Sequence, residues 1–110
     1  MSLVNDNQAT LKEGNWSFSI NQSIGATKAS YRAYMLAGSL WTVRQKGTVN
    51  PHHFVVYDNG NTADIYYEDI QLHTVYAQDV PANSSLSAYA AACAESFKAW
   101  AEVANKQSSK

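Results

Sequence analysis

The most regular hydrophobic pattern lies near the C-terminus. Leu86, Tyr89, Ala90, Cys93, Phe97, Trp100, Ala101 and Ala104 follow one another at intervals of 3, 1, 3, 4, 3, 1 and 3 residues. At 3.6 residues per turn these positions form one continuous apolar stripe, which predicts a long amphipathic helix. Asn83, Ser84 or Ser85 supplies its N-cap, and Pro81 keeps any upstream element from running into it.

A second pattern has period two. Asn59-Gly60 separates two runs rich in Val, Ile, Tyr and Phe, and Asn-Gly favours the hairpin turn in which both central residues take positive φ. With these two residues as the loop, Tyr57 faces Thr62, Val56 faces Ala63 and Phe54 faces Ile65. Opposed residues share a face. Phe54, Val56, Ala63 and Ile65 then form an apolar core side. His53, Val55, Tyr57, Thr62, Asp64, Tyr66 and Glu68 form the other side.

The same alternation extends upstream. Residues 39–46 read as a strand with Trp41 and Val43 on one side and Thr42 and Arg44 on the other, giving a meander with a return turn over residues 47–51. Residues 71–77 add a strand, and Trp16, Phe18 and Ile20 alternate with Ser17 and Ser19 in another. Residues 27–37 fit both periods. Their Ala, Leu, Met, Lys and Arg content favours a helix, with Gly38 as its cap. The expected fold is a single α+β domain over residues 12–105. An antiparallel sheet of four to five strands, built around the 53–66 hairpin, packs on the C-terminal helix, with a second helix at 27–37. Residues 1–11 and 106–110 read as polar, flexible tails.

Composition narrows the function classes. Charged residues make up 15% of the 110, against about 25% in a typical soluble domain. Polar uncharged side chains and seven tyrosines fill the gap, a balance closer to a recognition surface than to a solvated shell. Eight Lys and Arg against nine Asp and Glu leave a net charge of -1. That balance excludes a broad electrostatic grip on nucleic acid or an anionic membrane. No apolar run approaches the roughly 18–20 residues that span a bilayer. The opening MSLVNDNQATLKEG lacks a basic start followed by an apolar stretch, and the lone Cys93 forms no intrachain disulfide. Both features point to the cytoplasm.

Motifs for chemistry are sparse. Phosphate-cradling glycine patterns and helical zinc spacings do not occur, so no cofactor or metal is expected. Adjacent His52 and His53 in a strand would point to opposite faces. Cys93 falls on the buried helical stripe, where a thiol is an inert small hydrophobe. What remains is the polar side of the hairpin, where His53, Tyr57, Asp64, Tyr66 and Glu68 stand together, joined by Arg44 from the neighbouring strand. As a catalytic set, His53 would act as a base oriented by Asp64, with Tyr66 as a donor. An open antiparallel face is flat, however, and catalysis needs a concave site. As an interface, the same six residues supply tyrosine anchors and adaptable charges.

The sequence thus points to a small non-enzymatic binding module that occupies a protein partner, in the manner of an inhibitor, immunity-type or mobile-element accessory protein. The alternatives are a small-ligand binder or enzyme with a Tyr/His-lined pocket, and a structural subunit of a larger assembly; a homo-oligomer is compatible with each reading.

Overall fold

The computed structural model describes residues 4–5 and 7–108. It is an α+β fold in which two helices bridge two antiparallel sheets. The first sheet contains β1 (Val4–Asn5), β2 (Gln8–Glu13) and β3 (Trp16–Ile20), in that order. The second is a meander of β4 (Phe54–Asp58), β5 (Thr62–Tyr67) and β6 (Ile70–Tyr76). Between them runs α1 (Ala29–Gln45), and the chain closes with α2 (Leu86–Ser108). One sheet was expected from the sequence; there are two.

The C-terminal helix forms as its stripe requires. Ala90, Cys93, Phe97, Trp100, Ala101 and Ala104 are all buried, and Ser85 Oγ caps the first turn by accepting from Ala88 N at 3.1 Å. The helix continues through Ser108, so residues 106–108 are not a tail. The N-terminal tail is also shorter than expected. Residues 8–11 belong to β2, where Leu11 pairs with Phe18 and Ala9 with Ile20, and both Ala9 and Leu11 are buried. Gly14 takes positive φ (58°) in the turn that joins β2 to β3.

Residues 39–45 are helical, not a strand. The buried positions Ala29, Ala33, Leu36, Leu40 and Val43 recur every three or four residues, so one helical stripe runs straight past Gly38. The helix ends instead at Gly47, whose positive φ (112°) gives the left-handed turn that helix ends favour. A strand would place Trp41 and Val43 on one face; in the helix Val43 is fully buried and Trp41 is exposed.

The hairpin register is offset from the expected one. Val56 pairs with Ile65, Val55 with Tyr66 and Tyr57 with Asp64. Asn59 N donates to Thr62 O at 2.9 Å, so the two central turn residues are Gly60 and Asn61. Only Gly60 takes positive φ (94°). A glycine alone at the first central position is a sound two-residue turn, and it spares Asn59 a left-handed conformation. The slip shifts each cross-strand partner by two residues, so every side chain keeps its face. Val56 lies on the expected side but at its exposed margin, since β4 is an edge strand. In β6, Ile65 faces His73 while Tyr66 faces Gln71, leaving Leu72 as a bulge.

The core joins both sheets through α2. Phe97 packs against Phe18 with ring centroids 4.9 Å apart, and Trp16 Nε1 donates to Ser96 O at 2.8 Å. On the other side, α1 packs against β2, β3 and β6. No helix among the described residues is long and apolar enough to cross a membrane.

Candidate functional site

Of the six residues singled out from the sequence, the outer face of the β4–β5 hairpin carries Tyr57, Asp64 and Tyr66, while Glu68 adjoins it and His53 reaches it through Glu68. Tyr57 and Tyr66 meet edge to face, with ring centroids 5.3 Å apart and planes at 88°. Such a T-shaped pair contributes about 0.5–1.5 kcal/mol beyond the area it buries. Tyr57 is half exposed, at 52%, and Val55 beside it is also exposed. Tyr57, Asn59, Asp64, Tyr66 and Glu68 line a shallow open hollow of about 400 Å³.

Asp64 is held from three sides. Thr74 Oγ1 donates to Oδ1 at 2.6 Å and Gln71 Nε2 at 3.0 Å, while Asn59 Nδ2 donates to Oδ2 at 2.9 Å. Its carboxylate is thereby fixed at the centre of the face. Glu68 occupies the β5–β6 turn and is the one non-glycine residue with positive φ (55°) among the described residues. Lys46 Nζ donates to Glu68 Oε1 and to Asp69 Oδ1, each at 2.9 Å. This bridging ammonium holds both carboxyls below their usual range, and Lys46 itself is pushed up to about 12.

His53 sits in a short 3-10 turn, Pro51–His53, not in a strand. Its Nδ1 lies 2.6 Å from Glu68 Oε2 and its Nε2 3.2 Å from Asn50 Nδ2. An amide nitrogen can only donate, so Nε2 accepts and Nδ1 carries the proton toward Glu68. The pairing of His53 with Asp64 that a catalytic reading requires is not made, and the acceptor nitrogen of His53 is occupied. No group of three or more His, Cys, Asp or Glu among the described residues is placed to hold a metal ion.

Arg44 is not part of this face. It lies on α1, where it pairs with Glu13 and places its guanidinium 5.5 Å from the centre of the Trp100 ring. The misplacement follows directly from reading residues 39–46 as a strand. Sequence reasoning also missed Lys46, which only the return of α1 over the β5–β6 turn brings to Glu68. A second outward surface lies on α1, where Met35 and Trp41 join the tyrosines Tyr31 and Tyr34 in projecting into solvent. The signal was the apolar character of residues 29–43 on both sides of the helix, which one buried stripe does not use up.

A deeper hollow of about 380 Å³ lies between α1 and β6, lined among others by Tyr31, Met35, Leu72, His73 and Tyr76. His73 is 8% exposed, and its ring packs edge to face against Phe18 and Phe97, with centroids 5.6 Å and 6.4 Å away. Burial pushes it down to about 4, with the nearby Arg32 guanidinium adding to the effect and Asp79 opposing it.

The chain belongs to the family described as a domain of unknown function, DUF8459, which matches residues 10–103. No curated protein and no solved structure matches it.

Proposed function

We propose that this DUF8459 chain is a non-enzymatic binding module that occupies a protein partner through the outer face of its β4–β5 hairpin. The observation that supports this most is the rigid Tyr57–Tyr66 pair beside the immobilised Asp64 carboxylate. Recognition surfaces favour such tyrosine anchors, because two χ angles hold a large amphipathic ring at low entropic cost. The charge around them selects the partner. Asp64 on the face, with Glu68 and Asp69 at the β5–β6 turn beside it, stands against Lys46, three negative charges to one positive. The fitting partner presents an apolar or aromatic knob ringed by Lys or Arg, and steering between the two surfaces weakens with salt. The single buried thiol, Cys93, suits a reducing compartment such as the cytoplasm.

The test compares the proteins that co-purify with wild type, Tyr57→Ala and Tyr66→Ala at low and high salt. A protein retained by wild type, lost with both variants and weakened by salt is the expected result. Equal retention by all three proteins would remove this face from the reading.

A second reading is a small-ligand binder, favoured by the hollow between α1 and β6 and by the His73 imidazole on its wall. The lining mixes apolar Ile24, Met35 and Leu72 with Tyr31, Tyr76 and the neutral imidazole, which fits a small aromatic molecule with one hydroxyl or N–H. Phenol is a direct probe. A shift of the His73 ring resonances that saturates with phenol, and is absent in Met35→Ala, would support it; no shift would discard it.

A further inference from the structure

The chain closes one edge of its second sheet and leaves the other bare. At the β6 edge, Arg32 Nη2 donates to Thr74 O, and Asp79 Oδ2 accepts from Tyr76 N. At the β4 edge the main-chain groups stand open. Asn59 N bonds Thr62 O and Glu68 N bonds His53 O, so the ladder directs the main-chain groups of Val55 and Tyr57 to β5. Phe54, Val56 and Asp58 therefore turn both N–H and C=O outward, where β4 has no second strand neighbour. Val55, Val56 and Tyr57 are exposed beside them. Natural sheets blunt a bare edge with Lys, Pro or a bulge. The strand Phe54–Asp58 reads FVVYD and pairs without a register shift, so it carries none of the three.

The groups at this edge say what fits it. A row of alternating main-chain donors and acceptors is matched in full by another extended main chain. The charge says which kind. Asp58 ends the strand and Asp64 lies opposite Tyr57, with Glu68 and Asp69 at the next turn against Lys46. A second copy of β4 would bring this acidic end against itself, whereas a strand bearing Lys or Arg meets opposite charge. Helix α2 backs the position. Ser87 Oγ donates to Asp58 Oδ2 at 3.2 Å, and Asn105, 18 residues or five turns later, holds Val49 N and O. Both contacts lie on one line of the helix, so α2 runs alongside β4 from its Asp58 end to the segment that enters it.

We propose that β4 receives an extended basic segment of the partner, which joins the second sheet as a fourth strand. Main-chain bonds to Phe54, Val56 and Asp58 supply the grip, and Tyr57 flanks the added strand on the outer face. This rests on the hairpin being the partner site and adds the form in which the partner binds.

The probe is a blocked eight-residue peptide that alternates Lys with Val, titrated to millimolar against the isotope-labelled chain. Amide exchange at Phe54, Val56 and Asp58 should slow at least about tenfold, while Val55 and Tyr57, already bonded to β5, change little. Binding should weaken with salt. The same peptide with every amide N-methylated should not bind. Val56→Pro removes one outward donor at a position where an edge strand tolerates proline. It should lose the peptide while its melting temperature stays within a few degrees of wild type; if it unfolds, the N-methylated peptide carries the same test. Binding that leaves the three amides unprotected overturns the proposal, as does equal binding of the N-methylated form or no binding at all. So does protection that rises with protein concentration before peptide is added, which would put a second copy on the edge. Unprotected amides, with a co-purifying protein still lost on Tyr57→Ala and Tyr66→Ala, remove the added strand and keep the tyrosine face. Protection by the peptide in both variants, with no co-purifying protein lost, keeps the strand and removes the face.

Discussion

Arg32 and Asp79, 47 residues apart in the chain, form a buried two-pronged ion pair, with Nη1 to Oδ1 at 2.9 Å and Nη2 to Oδ2 at 2.8 Å. Nη1 and Nη2 of Arg32 also donate to Gln22 O at 2.8 Å and Thr74 O at 3.0 Å. Asp79 Oδ2 also accepts from Tyr76 N at 2.9 Å. One ion pair thus ties α1 to the chain leaving β3, to β6 and to the turn that follows it. Thr74 O and Tyr76 N lie on the strand without a second neighbour in the sheet, so the pair also satisfies main-chain groups at an open edge.

Removing one partner leaves the other charged and buried. Asp79→Ala should therefore cost about 3–5 kcal/mol in urea unfolding. The double variant Arg32→Met/Asp79→Leu should lose clearly less, since it strands no charge. A double variant as unstable as the single one would mean that the bonds to Gln22 and Thr74, rather than the ion pair, hold this corner.

Trp100 joins the core to a second polar cluster. Its ring is 1% exposed, and its Nε1 donates to Glu13 Oε1 at 3.1 Å. Trp100→Ala should cost about 3–5 kcal/mol, the range for a large aromatic whose cavity collapses only in part. Trp100→Phe keeps most of the volume but leaves Glu13 without that donor, and should cost about 1–3 kcal/mol. Equal losses for the two variants would show that the hydrogen bond outweighs the volume.

His73 sets part of the acid sensitivity. Burial pushes it from 6.5 down to about 4, so between those values the unfolded chain binds a proton that the folded chain refuses. Its contribution is complete above about pH 6.5, drains away as pH falls from there toward 4, and levels off below. At about 1.4 kcal/mol per pH unit the full effect is about 3 kcal/mol, with about 2 kcal/mol lost by pH 5. Urea unfolding at pH 7 and pH 5 should show wild type losing more stability than His73→Leu. Parallel losses would place the acid sensitivity in the carboxylates instead.

Cys93 should be silent in the folded protein. It is buried, and desolvation pushes its thiol up to about 11, with the Tyr89 hydroxyl partly opposing. Thiolate and access are both needed for reaction. A thiol reagent at pH 7.5 should label the native chain far more slowly than the chain in urea, so that labelling reports unfolding. Equal rates would mean that the α2 stripe opens locally at Cys93.

Much of this protein was legible in periodicity. The α2 stripe, the Trp16–Ile20 alternation and the two faces of the 54–67 hairpin each depend on neighbours within one element. The hairpin faces survived even a wrong turn placement, because a slip of two residues preserves the alternation. Tyr57, Asp64 and Tyr66 share one face for that reason.

The sequence alone could not decide whether residues 39–45 were helix or strand, because Trp41 and Val43 are apolar under either period. Tertiary packing decided it: α1 lies across both sheets with Val43 on its buried side and Trp41 outside. The same packing divides the strands into two sheets, carries Arg44 to Glu13 and Trp100, and brings Lys46 to Glu68. Which face is apolar is written in the spacing of neighbouring residues. Which elements meet depends on contacts between distant parts of the chain, and no local period encodes those.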